Sequence, residues 1–149
     1  ESQTRVMVFF GDPQSKGYQE DAISCLEMAI EMRDAMPRLK KYWKSLGVSQ
    51  PLDIRIGSHT DTCTVGNFGS HDRFDYTTTG NGVNLVARLE SNANINQILI
   101  SEDTYLLVKD HINCRKLELI TVKNITSPIQ TYEVIGSINS NALQNNFQE

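Results

Sequence analysis

Asn84 and Arg88 stand four residues apart in "NGVNLVARLE", directly behind the threonines and glycines of "DYTTTGNG". Residues at that spacing on a helix have Cβ atoms about 5–6 Å apart. An amide and a guanidinium placed this way can touch neighbouring parts of one ligand, such as a sugar and the phosphate beside it. Arginine suits a phosphoryl group because its planar fork stays charged and offers several donors. On spacing alone, an exposed polar face opposite Val83, Val86 and Ala87 explains the pair better. The usual phosphate signatures are missing: there is no GxxxxGK[ST] loop, and "GNFGSHD" is not a dinucleotide fingerprint. His59, His71 and His111 are scattered, with no Cys or Ser nucleophile at a matching spacing, and read as structural or surface residues.

The elements that must position this pair follow from periodicity. "RVMVFF", Arg5 to Phe10, is a β-rich run ended by the turn signal "GDP". A long helix is predicted from Tyr18 to Leu46, where Ala22, Leu26, Ala29, Ile30, Met36, Leu39, Trp43 and Leu46 form one apolar stripe. Pro37 lies inside it and is expected to kink or interrupt it. In "LDIRIGSH", Leu52, Ile54 and Ile56 alternate with Asp53 and Arg55, the pattern of a half-buried strand. "TCTVGNFGS" and "RFDYT" continue as strands about a glycine turn. The helix carrying Asn84 and Arg88 then runs from about Gly80 to Ala93. "QILIS" is a buried strand, "SEDTYLLVKD" a short helix with Ser101 as N-cap, and "RKLELITVK" and "IQTYEVIG" are closing strands about a turn near Asn124. Irregular alternation with hairpins favours an α+β sheet-and-helix architecture over a doubly wound parallel sheet. From Ser137 the composition turns to Ser, Asn and Gln, giving a domain over 1–136 and a polar tail over 137–149.

Composition narrows the function classes. With 149 residues, 39% hydrophobic and 21% charged, the chain fits one ordinary domain with a real core. A net charge of -4 argues against nucleic acid as a partner, since phosphate neutralisation needs a basic face. A small anionic ligand needs only a few local cations and stays open. Cys25, Cys63 and Cys114 form no CxxC pair and no cluster with histidine, so neither zinc nor a disulfide framework is indicated. Reduced thiols in the cytoplasm account for them, and no run approaches the length of a membrane span.

The wider string "LDIRIGSHTDTCTVGNFGSHDRFDYTTTGNGVNLVARLES…ILISEDTYLLVKD…VKNITSPIQTYEVIG" closely resembles the catalytic domain of class III nucleotidyl cyclases, the adenylyl and guanylyl cyclases. The likeness runs from about Val6 to Ile135. It implies a ferredoxin-like α+β domain, an antiparallel sheet with helices packed on it, that works as a head-to-tail homodimer with active sites at the interface. It implies an enzyme that cyclises ATP or GTP when the ribose 3'-hydroxyl attacks the α-phosphate and expels pyrophosphate. Asn84 then matches the asparagine that orients the ribose, and Arg88 the arginine that stabilises charge on the α-phosphate. Thr77 falls where the family contacts the purine, and its hydroxyl resembles that of many bacterial adenylyl cyclases, so ATP is the expected substrate, with GTP the alternative. Lys123 matches the lysine on the β- and γ-phosphates. Asn124 follows it where the family usually has Gly, and Asn tolerates a left-handed turn.

The resemblance also implies two Mg²⁺ or Mn²⁺ ions held by two aspartates. The first belongs to a strand that would precede Glu1, and Thr4 stands at the place of the second; Asp12 comes after that strand and is a different residue. Asp61 replaces a Gly usual in the family. The chain therefore reads as an N-terminally truncated domain, inactive alone, of a kind that the family usually attaches to sensory or membrane modules. The rival is a catalytically degenerate interaction module with the cyclase fold.

Overall fold

The structure, a computed structural model, describes residues 4–61, 64–68, 75–79 and 81–138, with the backbone alone described over 64–68 and 75–79. Its first element is α1, Tyr18–Ser45. Glu20 and Asp21 lie in the first turn, where carboxylates complement the helix dipole. Asp21 also accepts from the Lys16 N–H at 3.0 Å, which anchors the preceding loop. Gly47, at φ +79°, ends the helix in the left-handed conformation that glycine takes without strain. The expected stripe is buried at Ala22, Leu26, Ala29, Ile30 and Met36. It then fades, and Leu46 is exposed. Pro37 does not interrupt α1; its side chain faces solvent, and the helix continues on both sides.

After α1 come β1 (Ile56–Ser58), β2 (Thr64–Phe68), β3 (Asp75–Thr79) and α2 (Asn81–Asn92). They are followed by β4 (Ile98–Ser101), α3 (Glu102–Val108), β5 (Ile112–Ile120) and β6 (Ile129–Ser137). The main sheet has the order β1-β4-β6-β5, and β2 and β3 form a separate antiparallel ribbon. The pairs β4–β6 and β6–β5 are antiparallel, while β1 and β4 are parallel. A parallel pair needs a crossover between its strands, and α2 lies in that crossover. The fold is thus α+β with a mixed sheet.

Side chains of β4 alternate between two cores, as a strand period of two requires. Ile98 and Ile100 join Leu26, Ala29, Val108 and Val134 on the face covered by α1 and α3. Leu99 points the other way and packs with Leu85, Leu89 and Ala93 of the α2 region and with Val122. All four β4 residues are buried.

Two expected strands differ. Residues 5–10 are irregular and exposed, with Val6 82% accessible. A strand needs a neighbouring ladder, and among the described residues none lies along this run. "LDIRIGSH" contributes only Ile56–Ser58, and Leu52 lies in solvent because β4 pairs only from Ile56 onward. β6 extends to Ser137, while residues 139–149 and the glycine turn between β2 and β3 lie outside the described residues. Among the described residues no helix is long and apolar enough to cross a membrane.

Candidate functional site

On α2 the buried residues are Gly82, Leu85 and Leu89. Asn84 and Arg88 each precede a buried leucine by one residue. A step of one residue turns the helix by about 100°, so the register that buries the leucines holds the amide and the guanidinium together on the flanking exposed face. The end of α2 is closed locally: Ser91 Oγ and Asn92 Nδ2 donate to the Arg88 carbonyl at 3.1 and 2.8 Å. These bonds add side-chain donors to a carbonyl in the last turn of α2.

The loop between β5 and β6 meets this face. Val122 is 4% exposed and packs in the same cluster as Leu85 and Leu89, which pins the loop to the helix. The Ile125 N–H donates to the Val122 carbonyl at 3.2 Å and closes a tight turn. Asn124, inside that turn, has φ +69°, the left-handed conformation its sequence position suggests. Asn84, Arg88, Val122, Lys123 and Asn124 together line an open pocket of about 390 Å³. Three of the four side chains singled out by sequence are therefore gathered in one place. Thr77 is placed by its backbone alone, in register with Gly66 across the β2–β3 ribbon.

Arg88 and Lys123 are in no ion pair among the described residues, whereas Arg5 and Arg55 both approach Glu90, at 3.7 and 3.8 Å. A chain of net charge -4 thus brings to one cavity two cations that are in no ion pair among the described residues, together with two asparagines. That donor set suits an anion with several oxygens, for which charge-assisted hydrogen bonds are the strong contacts.

His59 is structural, as expected. Its side chain is buried, with Nδ1 2.6 Å from Ser101 Oγ and Nε2 3.7 Å from Asp61 Oδ2. Burial holds its pKa below the usual 6.5, and Asp61 and Asp103 oppose that shift. Ser101 caps α3 as expected, with a long 3.5 Å bond from the Thr104 N–H. His111 is exposed, and His71 lies outside the described residues.

Sequence reasoning missed Val122 and the pocket-facing role of Asn124's position. The signal available for Val122 was an apolar residue directly before the polar "KN" pair.

The family model for the adenylate and guanylate cyclase catalytic domain matches residues 5–136. The chain belongs to that family. Among solved structures, the adenylyl cyclase CyaB from P. aeruginosa is 46% identical with a TM-score of 0.83, over 87% of this chain and 66% of that one. The guanylyl cyclase Cya2 is 32% identical with a TM-score of 0.79, over 87% of this chain and 64% of that one. Among curated relatives, Adenylate cyclase 1 of Rhizobium meliloti is 33% identical over 81% of this chain and 18% of its own length. The adenylate cyclase of Mycobacterium tuberculosis is 28% identical over 87% of this chain and 27% of its own. The chain thus spans less than a third of these curated relatives.

Class III cyclase catalytic domains generally use divalent metal ions. Among the described residues of this family member, no three His, Cys, Asp or Glu side chains come together to hold one. The described donor set does not fit such an ion.

Proposed function

We propose that this domain is the catalytic core of an adenylate cyclase that converts ATP to 3',5'-cyclic AMP and pyrophosphate. The observation that carries the proposal is the convergence of Asn84, Arg88 and Lys123 on one open pocket. In the reaction the ribose 3'-hydroxyl gives its proton to solvent water, its oxygen bonds to the α-phosphorus, the bond from that phosphorus to the bridging oxygen breaks, and pyrophosphate leaves with that electron pair. Arg88 stabilises the charge that builds on the α-phosphate, where a preorganised donor counts most. Asn84 holds the ribose in a near-attack pose, since an intramolecular displacement depends chiefly on orientation. Lys123 takes the β- and γ-phosphates, and Thr77 is assigned to the purine by its place in the family motif. A head-to-tail homodimer agrees with the exposure of Asn84, Arg88 and Lys123, which leaves room for a second copy to close the pocket. Magnesium or manganese would assist with ligands other than those described.

The test is turnover of ATP by the full-length protein with manganese present. Arg88→Ala is expected to lower kcat on the order of 10²-fold or more; unchanged turnover defeats the proposal. The 32% identity to a guanylyl cyclase supports GTP as the second candidate substrate. Parallel assays with GTP decide between them, and a higher kcat/KM for GTP would reverse the assignment of the base.

A further inference from the structure

We infer that Asn124 is a phosphate-binding residue of this site, its side-chain amide supplying a donor to the nucleotide's phosphates beside Lys123. The inference rests on the adenylate cyclase reading and assigns a role to a residue that the reading does not need. Asn124 sits at φ +69°, where glycine holds the backbone with least strain. Keeping the turn therefore does not require a side chain. Asn124 nevertheless lines the pocket together with Arg88 and Lys123. It is exposed and makes no hydrogen bond to another described residue, so its two N–H donors are not committed to holding the loop. Val122, buried with Leu85 and Leu89, holds the loop that carries Asn124 against α2.

An amide adds directional hydrogen bonds where two cations already supply charge. Its acceptor oxygen is repelled by phosphate, so the amide must present its nitrogen. That requirement makes an isosteric carboxylate a sharp probe. Asp tolerates the same backbone conformation but would put a negative charge against the phosphates.

The experiment uses the full-length protein with Asn124→Gly and Asn124→Asp, measuring KM and kcat for ATP and inhibition by pyrophosphate. Glycine suits the turn at least as well as Asn, so a purely conformational role predicts no kinetic change in Asn124→Gly. Loss of one donor to a charged acceptor is expected to raise the KM for ATP about fivefold or more and to weaken pyrophosphate inhibition in parallel. Asn124→Asp should exceed Asn124→Gly in both measures. Wild-type KM and pyrophosphate inhibition in Asn124→Gly overturn the inference whatever Asn124→Asp does. If Arg88→Ala abolishes turnover in the same series, that failure is confined to Asn124; if Arg88→Ala is without effect, the adenylate cyclase reading itself has failed.

Discussion

Replacing Gly57 by alanine should displace the helix that carries Asn84 and Arg88. A Cβ built at Gly57 stands 2.4 Å from the amide nitrogen of Glu90 and 2.7 Å from the carbonyl oxygen of Val86, both on α2. These are backbone atoms, so no side chain can rotate away to make room. Reaching ordinary contact distance requires α2 and β1 to separate by about 1 Å. Overpacking of this kind costs about 1–3 kcal/mol, which for a chain of this length lowers Tm by about 3–10 °C. The effect on rate should be larger in proportion. Val86 and Glu90 flank Arg88, and a 1 Å misplacement of catalytic groups costs on the order of 10²-fold. The assay compares kcat for ATP with Tm, at a temperature where both proteins are folded. Gly136→Ala supplies the control, because a Cβ at Gly136 meets nothing within 4 Å. The reasoning is refuted if Gly57→Ala keeps wild-type kcat, or if Gly136→Ala loses as much activity as Gly57→Ala.

Arg33 reaches from α1 to donate to the Val134 and Ile135 carbonyls, both at 2.7 Å, beyond the last β4–β6 pair at Glu133. Arg33→Met keeps the apolar stem and should cost about 2–3 kcal/mol in urea unfolding while the KM for ATP stays put; an unchanged midpoint would contradict it. His59 should make stability depend on pH. Its folded pKa lies below 6.5, so the unfolded chain takes up the proton first as pH falls. Its contribution is complete above pH 6.5 and is lost as pH drops below that value toward the folded pKa. Unfolding free energies at pH 7.5 and 5.5 should therefore differ less in His59→Gln than in the parent, and an equal difference in the two proteins would sink the idea.

How much of this was legible in the sequence depended on whether a feature belongs to one element or to several. The apolar stripe of α1 was readable because Ala22, Leu26, Ala29 and Ile30 repeat within one helix and bury as a unit. The Ser101 cap was readable for the same reason: the side chain and the N–H it accepts lie three residues apart. "RVMVFF" misled because composition records a preference for extended backbone, whereas a strand exists only against a partner. Pro37 was expected to kink or interrupt α1, and the helix runs through it without interruption. Its missing donor is a local loss, and the burial of α1 on the sheet is spread over many residues and outweighs it.

The candidate site divides along the same line. Asn84 and Arg88 share a helix face by spacing alone, but spacing cannot say what that face opposes, and a solvated polar stripe explained it better. Lys123 lies 35 residues beyond Arg88 in the chain, and neither it nor Asn124 carries a periodic signal. What brings them to α2 is Val122, whose burial with Leu85 and Leu89 is a tertiary fact. The leucines of α2 thus act twice: they attach the helix to β4 through Leu99, and they give the 121–128 loop a place to land. A cavity introduced at Leu89 should on this account loosen Lys123 as much as Arg88, which is why the chemistry of this site is best understood as a property of the core beneath it.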